Sequence, residues 1–375
     1  MRGQYAIVGA AESDLGEVGP GFTPADLMAQ ASLRALADCG LGVADVDGLF
    51  AASTQLPMAP LSLGAALGIQ PRYTDGTQIG GSSPMAHVDH ARAAIAAGLC
   101  EVALIAYGST QRSVGRAKAS VQELGPYEAA YAPAMPVTAY ALAAARHMHE
   151  FGTTPEQLAE VAVAARAWAA TRPNAWSREP LTVADVLAAP RVADPLGVRD
   201  CCLVTDGGAA VVIVSTDRAR AMGLTDRGAF VLGAGVAHTH RHISAMPDLT
   251  TTPAVESGQR AFGEAGVTAA DVESAQLYDA FTITPILFLE DLGFCAKGEG
   301  GAFVERGGIA PGGALPVNTN GGGLSYGHPG MYGLLAIVEA VRQLREEGRH
   351  LVVAHGNGGV LSSQATLVLG DATTV

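Results

Sequence analysis

An internal repeat is the feature of this sequence that most constrains its fold. Near the start, an apolar segment at Tyr5–Gly9 is followed by a Thr-Pro pair, an amphipathic stretch and Gly40, and the same order recurs in the second half. Gly40 corresponds to Gly266 and Val46 to Val272, at one constant offset. Thr before Pro is typical of a helix start, and Gly is typical of a helix end. Each half is therefore predicted to alternate strands with helices.

The later part of each half repeats as well. Gly81 and Gly323 each precede a predicted helix, the second at about Pro329 to Arg345. These helices lead to a buried strand at Val102–Ala106 in the first half and at Leu351–Ala354 in the second. Apolar strands between helices favour a mostly parallel sheet that is covered on both faces. Two such halves predict an α/β protein with two sheets, and with helices between and outside them. Because a helix N-terminus stabilises negative charge, we expect a ligand site where the two glycine-initiated helices meet.

The two halves are predicted to span residues 1–225 and 226–375, and one stretch of the first half has no counterpart in the second. This stretch, at about 110–195, contains long alanine-rich segments and a Thr-Pro pair of the kind that starts a helix. We predict that it forms an inserted, largely helical lobe.

Composition and charge exclude several classes of protein. The chain has 375 residues and a net charge of −13, and it lacks the basic stripe that a nucleic-acid-binding protein needs. Its first residues lack the pattern of a secretory leader, so we expect none, and no run reaches the roughly 20 apolar residues that cross a bilayer. Its five cysteines include no C-x-x-C pair, so no metal site is expected. Sparse cysteines suit a reducing compartment, and we predict a cytoplasmic protein.

Five motifs carry a resemblance to a known family. In chain order they are IGGSSPMAHVDHARAAIAAG, DGGAAVVI, LYDAFTITPILFLEDLG, NTNGGGLSYGHPGMYG and AHGNGGVLSSQATLVLG. Their order and spacing resemble the thiolase superfamily, and most of all its sterol-carrier-protein-type (non-specific lipid-transfer) thiolase-like branch. The resemblance implies a five-layered α/β/α/β/α fold built from two duplicated halves. It also implies a coenzyme A thioester as the substrate, and we expect no bound cofactor.

The resemblance implies that the family's nucleophile is missing. The position of the family's cysteine falls on Gly81, which has no side chain to attack a thioester. Ser82 and Ser83 follow it, but a serine needs an adjacent base to become a nucleophile. We interpret both serines as N-cap residues of the following helix that line the substrate-binding site.

The other positions of the family's site are occupied. By the resemblance, His328 is the catalytic histidine of the Gly-His-Pro motif, and His355 is the second acid/base. Asn357 and Gly358 lie in a glycine loop beside the thioester oxygen, and Asp279 lies in the motif that helps to form an oxyanion hole. Alternative interpretations stay open at three of them: His328 as a helix cap, His355 as a buried structural histidine, and Asp279 as a residue that only orients a neighbour.

Such a site suits an enolate next to a thioester, with the charge on the carbonyl oxygen. An aldol or retro-aldol step also needs a base for the β-hydroxyl, and a tyrosine perturbed by its surroundings can act as one. Tyr278 and Tyr326 flank the predicted pocket, although either can simply pack there. Some members of the family that this sequence resembles also lack the cysteine, and these are aldolases that cleave steroid side chains as CoA thioesters. We therefore predict an enzyme that makes or breaks a carbon–carbon bond beside a thioester without an acyl-cysteine.

Two other functions stay open from the sequence. An ordinary acyltransferase or thiolase would need another nucleophile, and Cys295 lies at a connection where a free cysteine is commonly inert. A non-catalytic subunit would bind acyl-CoA or lipid without turnover. His238, His240 and His242 alternate, but without a carboxylate they are interpreted as a loop rather than a metal site. The resemblance further implies a homodimer and a small zinc-ribbon/OB-fold partner protein, with no membrane or nucleic-acid partner.

Overall fold

The computed structural model of the protein describes residues 1–115 and 124–375, so part of the insert expected at 110–195 lies outside the described residues. The strands are β1 (Tyr5–Glu12), β2 (Gly48–Ala51), β3 (Tyr73–Asp75), β4 (Ala103–Ser109), β5 (Arg191–Ala193), β6 (Leu196–Gly197), β7 (Gly207–Ser215), β8 (Ala229–His238), β9 (Ser274–Leu277), β10 (Leu351–Gly358) and β11 (Ser363–Gly370). The helices are α1 (Pro24–Asp38), α2 (Ala59–Leu67), α3 (Ser83–Ala96), α4 (Gln111–Val114), α5 (Pro126–Ala129), α6 (Val137–Phe151), α7 (Pro155–Ala169), α8 (Val183–Leu187), α9 (Thr216–Ala221), α10 (Ala254–Ala265), α11 (Ile283–Asp291), α12 (Gly300–Glu305) and α13 (Gly333–Glu346).

The predicted duplication is visible in the order of the strands, which is β3-β2-β4-β7-β1-β8-β11-β10-β9. Outward from the middle, β1, β7, β4 and β2 of the first half correspond to β8, β11, β10 and β9 of the second. The two halves are joined by a short antiparallel contact, in which Ala6 pairs with Phe230 and Ile7 with Ala229. The two sheets expected from the sequence are therefore linked by hydrogen bonds at their inner strands.

The prediction of a mostly parallel sheet is wrong. Among the strands named above, the parallel pairs of the large sheet are β2 with β3, β2 with β4, and β9 with β10, and its other pairs are antiparallel. For β10 and β11 the reason is the length of their connection. Only residues 359–362 separate β10 from β11, whereas a parallel crossover needs a dozen or more residues.

The helices divide into inner and outer layers. Helices α3 and α13 pack against strands of both halves, whereas α1 packs on β1, β4 and β7, and α10 packs on β8 and β11. This order of outer helix, strands, inner helices, strands and outer helix is the five-layered α/β/α/β/α fold predicted above. The inner helices α3 and α13 thus lie at the seam between the halves.

Local signals explain where the helices of the insert begin. Thr154 caps α7 with its hydroxyl on the N–H of Gln157, and Pro155 occupies the first turn, where its missing N–H is not needed. Gly152 ends α6 in the left-handed conformation, at a φ of 75°. The described part of the insert also contains the short hairpin of β5 and β6. Helix α7 packs against residues 322–326, so the insert touches the glycine-rich loop of the second half.

Across residues 1–115 and 124–375, none of the helices is both long enough and apolar enough to cross a membrane.

Candidate active site

The ring of Tyr278 covers Gly81 at the seam between the halves. A Cβ atom added at Gly81 would lie 2.6 Å from Cζ of Tyr278, closer still to Cε2 of the same ring, and 2.6 Å from the carbonyl oxygen of Asn357. Tyr278 follows directly after β9, and its N–H donates to the carbonyl of His355 on β10 at 3.1 Å. The tyrosine ring therefore fills the space that a side chain at residue 81 would need.

Tyr278 forms a hydrogen-bonded pair with His328. Its hydroxyl lies 2.9 Å from Nε2 of the imidazole, and the two rings meet edge to face with their centroids 5.5 Å apart. Burial lowers the pKa of His328 to about 4, so the imidazole is neutral at neutral pH and can accept a proton. The structure thus brings together two residues that the sequence predicts for the site.

Backbone contacts hold His328 in place. Its N–H donates to Oγ1 of Thr205 at 3.0 Å, and the N–H of Thr205 donates to the carbonyl of His328 at 3.2 Å. Thr205 is fully buried and precedes β7. The two bonds fix the position of the histidine backbone, and with it the distance from the imidazole to Tyr278.

The hydroxyl of Tyr278 lies at the start of α13. It accepts a hydrogen bond from the N–H of Tyr332 at 3.1 Å, and the carbonyl of Gly330 is 3.5 Å away. Burial raises the pKa of Tyr278 well above its usual value, so the phenol is protonated. Since the contact with Gly330 is at the limit of a hydrogen bond, the hydroxyl donates to Nε2 of His328.

Both helix starts expected at the seam are present there, and the second begins a few residues later than the sequence predicts. Helix α3 begins at Ser83, directly after a single helical turn at Gly80–Ser82. The helix predicted at about Pro329 to Arg345 begins at Gly333, and the glycine run before it is not part of it, because Gly322–Tyr326 form a wide turn of their own. A Cβ atom at Gly333 would overlap the carbonyl oxygen of Gly81, so the starts of α3 and α13 touch.

Asp279 explains why the glycine loop does not start a helix. Its carboxylate accepts the N–H of Gly323 at 2.6 Å and the N–H of Leu324 at 3.1 Å, so these donors are not directed at a ligand. Burial raises the pKa of Asp279 to about 7. Gly322 has a φ of 63°, and a Cβ atom there would overlap the carboxylate. Asp279 thus positions the loop, which is the alternative that the sequence left open.

Ser82 and Ser83 form local contacts. The hydroxyl of Ser82 lies 2.8 Å from the carbonyl of Ile79 and 2.7 Å from the hydroxyl of Ser363. The hydroxyl of Ser83 accepts the N–H of Ile79 at 2.9 Å. Ser82 occupies the N-cap position of α3 without a capping hydrogen bond from its side chain. The hydrogen bonds of both serines thus involve no imidazole, so nothing here activates them as nucleophiles.

His355 is buried and bonded at both ring nitrogens. Nδ1 lies 2.9 Å from the hydroxyl of Thr366, and Nε2 lies 2.9 Å from Oε1 of Gln364. Burial lowers the pKa of His355 to about 3. The side chain of Asn357 is also turned inward, onto Gln364 and Tyr140.

The glycine turn contributes its backbone to the site. A Cβ atom at Gly80 would lie 2.8 Å from Cα of Gly358 and 2.9 Å from the nitrogen of Gly359. The Gly80–Gly81 segment and the Gly358–Gly359 turn are therefore packed backbone against backbone, with no room for a side chain at residue 80.

Tyr326 lies on the other side of the glycine loop. Its hydroxyl donates to the carboxylate of Glu12, and its ring packs with Ala169 and Ala175 of the insert. Burial raises the pKa of Tyr326 far above its usual value. The structure therefore does not bring this tyrosine together with Tyr278 and His328.

The remaining candidates lie outside the site. Burial raises the pKa of the Cys295 thiol to about 12, which disfavours the thiolate. Nε2 of His240 lies 3.0 Å from the carbonyl of Val360, and His242 lies near Glu128. Within the described ranges, no group of three or more His, Cys, Asp or Glu residues is arranged to hold a metal ion.

Three residues of the site were not among those predicted from the sequence. Tyr332 donates its N–H to Tyr278, Thr205 holds the backbone of His328, and Tyr140 bonds to the side chain of Asn357. Tyr332 lies four residues after His328 and could have been found from that proximity. Thr205 and Tyr140 reach the site from distant parts of the chain, so no local pattern marks them.

The chain is similar to known proteins in sequence and in fold. Residues 235–371 match the family described as Thiolase C-terminal domain-like. The chain is 33% identical to the 17-hydroxy-3-oxo-4-pregnene-20-carboxyl-CoA lyase of Mycobacterium tuberculosis, over 99% of this chain and 100% of that protein. It is 34% identical to a steroid side-chain-cleaving aldolase of Thermomonospora curvata, over 92% of this chain and 91% of that protein. The solved structure of the Ltp2-ChsH2(DUF35) aldolase superposes with a TM-score of 0.88 at 32% identity, over 99% of this chain and 98% of that chain.

Proposed function

Since the chain belongs to the thiolase superfamily, in its sterol-carrier-protein-type thiolase-like branch, we propose that it cleaves a carbon–carbon bond next to a coenzyme A thioester by a retro-aldol step. The observation that carries the proposal is the ring of Tyr278, which covers Gly81 and places its hydroxyl on His328. By the sequence resemblance, residue 81 is the position of the thiolase nucleophile. A proton carrier lies there instead.

In the proposed step, the substrate carries a hydroxyl group on the carbon β to the thioester. Tyr278 takes the proton of that hydroxyl while it passes its own proton to Nε2 of His328, so the pair acts as a general base. The bond between the α and β carbons breaks, its electrons move to the thioester as an enolate, and a carbonyl forms at the β carbon. The enolate then takes up a proton at the α carbon and His328 gives up the proton that it received, so one proton in total moves from the β-hydroxyl to the α carbon. An acyl-CoA and a ketone or aldehyde leave, and the pair returns to its starting state.

The protonation states of the pair favour a coupled transfer. The lowered pKa of His328 keeps its imidazole neutral at neutral pH, so Nε2 has a lone pair for the tyrosine's proton. Burial disfavours the imidazolium that forms, and the negative charge of the enolate offsets this cost. A free phenolate of Tyr278 would be costly, because burial raises the pKa of the phenol. Passing one proton on while another arrives avoids that state.

The enolate is stabilised by backbone groups rather than by a charged side chain. The N-termini of α3 and α13 meet at Gly81 and Gly333, and helix N-termini favour a developing negative charge. We assign no oxyanion role to the N–H groups of Gly323 and Leu324, because Asp279 already occupies them. Asn357 and Gly358 border the site through their backbone.

The relatives' activities suggest the substrate and the partner. A CoA lyase and a steroid side-chain-cleaving aldolase match the chain over nearly its full length, so we propose a β-hydroxyacyl-CoA with a polycyclic, steroid-like acyl group. The similar solved aldolase contains a DUF35 protein, and we propose a small zinc-ribbon/OB-fold partner of that kind. We further propose that the chain works as a homodimer in the cytoplasm.

Product analysis tests the proposal. The purified protein, alone and with a DUF35-type partner, is incubated with a steroid CoA thioester that carries a hydroxyl β to the carbonyl, and the products are identified by mass spectrometry. We expect a ketosteroid and a shorter acyl-CoA in equal amounts, with no mass added to the protein.

Two other results would contradict the proposal. A stable acyl adduct on the protein would favour an acyltransferase that uses another nucleophile. Tight binding of the thioester without turnover, with the partner present, would favour a binding subunit.

A further inference from the structure

A chain of buried polar groups runs from α10 to the glycine turn after β10. We call it the buried polar chain, and its members are Ser257, Thr366, His355, Gln364, Asn357, Tyr140 and the carbonyl of Gly359. Successive members are 2.8, 2.9, 2.9, 2.8, 2.8 and 3.1 Å apart. The side chains in it are at most 3% exposed. Each hydrogen bond therefore forms away from water, where an unsatisfied group is costly.

The last member fixes the direction of every hydrogen bond. A carbonyl oxygen only accepts, so the hydroxyl of Tyr140 donates to Gly359 and must itself accept from the amide N–H of Asn357. The amide oxygen of Asn357 then faces Gln364 and accepts from its amide N–H.

Donors and acceptors can be assigned in the same way from Gln364 to Ser257, at the other end of the buried polar chain. The amide oxygen of Gln364 faces His355, so Nε2 carries the imidazole proton and Nδ1 accepts from the hydroxyl of Thr366. Ser257 in turn donates to Thr366. One carbonyl thereby determines the tautomer of a histidine in the middle of the chain.

We propose that His355 is a positioning residue, which acts through Gln364, Asn357 and Tyr140 to hold the Gly359 carbonyl and the glycine turn. This inference concerns the proposed active site and rests on its function. It assigns His355 a role different from the acid/base role that the family resemblance implies.

The ends of the buried polar chain argue against proton relay. A backbone carbonyl accepts a hydrogen bond but does not pass a proton on, and the two amide groups do not exchange protons readily. Both nitrogens of His355 are engaged within the chain, and neither contacts Tyr278 or His328. What the buried polar chain can do is hold atoms in place.

The backbone atoms that the buried polar chain holds in place support the segment on which the ring of Tyr278 packs. The backbone of Gly358 and Gly359 packs against Gly80, and the carbonyl of Asn357 lies against Gly81. If Asn357 and Tyr140 release the turn, the Gly80–Gly81 segment loses its support. The ring of Tyr278 above it then loses its alignment with His328.

The first test reads the tautomer directly and does not depend on activity. In protein labelled with ¹⁵N-histidine, ring-nitrogen shifts report which nitrogen is protonated, and the signal of His355 is identified by its loss in His355→Gln. We expect a neutral ring with the proton on Nε2 from about pH 5 to 8. A proton on Nδ1, or a titration within this range, would overturn the proposal.

Gln364→Glu reverses the hydrogen-bond directions from residue 364 to Tyr140 in the buried polar chain, while the side chain keeps nearly the same shape. A carboxylate cannot donate to Asn357, so Asn357 turns its amide N–H toward residue 364, and Tyr140 then donates to Asn357 instead of Gly359. The buried carboxylate also favours a charged imidazole. We expect a doubly protonated His355 signal in this variant, whereas Thr366→Ser, which keeps the hydroxyl, retains the wild-type signal. An unchanged, neutral His355 in Gln364→Glu would overturn the proposal.

The second test asks whether the effects share one route, using the retro-aldol assay. Gln364→Glu and Tyr140→Phe each release the Gly359 carbonyl, and each should lower kcat about 10- to 100-fold with KM nearly unchanged. The double variant should be no slower than the slower single variant. Losses that multiply would show independent effects and would overturn the proposal.

Exposed residues provide the matched controls. Gln4→Glu and Tyr127→Phe make the same chemical changes on the surface, where Tyr127 is 90% exposed, and should leave kcat unchanged. Absence of activity in the wild-type protein would refute the proposed function alone, because the tautomer measurement still decides the role of His355.

Discussion

Gly81→Ala is the sharpest test of the view that the tyrosine ring occupies the place of a side chain at residue 81. The added Cβ atom would lie 2.6 Å from Cζ of Tyr278. Carbon atoms in contact are separated by about 3.5 Å or more, so the ring must move by about 1 Å. The added Cβ atom would also lie 2.6 Å from the carbonyl oxygen of Asn357, which restricts the movement of residue 81 itself.

Both stability and rate should suffer from this substitution. Overpacking of this kind costs about 1–3 kcal/mol, and a shift of about 1 Å at the reacting groups lowers kcat about 100-fold. Urea unfolding measures the first effect, and the retro-aldol assay measures the second. In a Tyr278→Ala background, the free-energy cost of Gly81→Ala should shrink, by about 0.5–3 kcal/mol, because the ring is absent.

A matched control separates the clash from the general effect of replacing glycine. Gly263 lies within α10, and a Cβ atom there has no atom within 4 Å. Gly263→Ala should leave kcat unchanged and stabilise the protein by up to about 1 kcal/mol, since alanine restricts the unfolded chain. If Gly81→Ala behaves like Gly263→Ala, the assignment of Tyr278 to this space is refuted.

Three further substitutions examine the groups around the pair. Tyr278→Phe keeps the ring and removes the proton carrier, so kcat should fall about 100- to 10,000-fold, and a rate near that of the wild type would contradict the proposed base. The same change leaves the buried N–H of Tyr332 without its acceptor and should cost about 1–3 kcal/mol in urea unfolding. Thr205→Val removes the acceptor for the N–H of His328 and should cost about 1–3 kcal/mol in urea unfolding, whereas Thr205→Ser should cost less; equal costs would show that the hydroxyl does not matter. Burial raises the pKa of Asp279 to about 7, above its ordinary value of about 3.9 in the unfolded chain. The folded state therefore binds more protons at this group, and its contribution to stability falls as pH rises from about 4 to 7. Asp279→Asn should abolish that part of the pH dependence, which a comparison of unfolding free energies across the range would reveal.

Much of the fold follows from patterns that are local in the chain. The repeat around Gly40 and Gly266 predicts two similar halves. In the structure, Gly40 follows the end of a helix in the first half and Gly266 does the same in the second. Strand direction was harder to predict, since an apolar strand reads the same in a parallel and an antiparallel sheet. The short connection between β10 and β11 was the available signal for antiparallel pairing.

The site was predictable to the extent that motifs mark it. Tyr278 and His328 are 50 residues apart in the chain, and only the motifs around them suggested that they meet. The role of Asp279 depends on the path of the glycine loop: its carboxylate binds two N–H groups there, so a Gly-Gly-Gly run that resembles a helix start becomes a separate turn. The partners of His355 lie on a neighbouring strand, and no spacing along the chain reveals such cross-strand contacts.

Where Gly81 contacts Gly333, only backbone atoms of the two inner helices form the site, and the reactive side chains come from other segments. With no side chain on either residue, the two inner helices begin at one point, and their backbone forms a fixed floor to which both copies of the repeat contribute. The reactive groups enter from elsewhere, from the end of β9 and from the segment before α13. To give this fold a new reaction, the residues to replace are therefore those at the end of β9 and in the segment before α13, while Gly81 and Gly333 are kept.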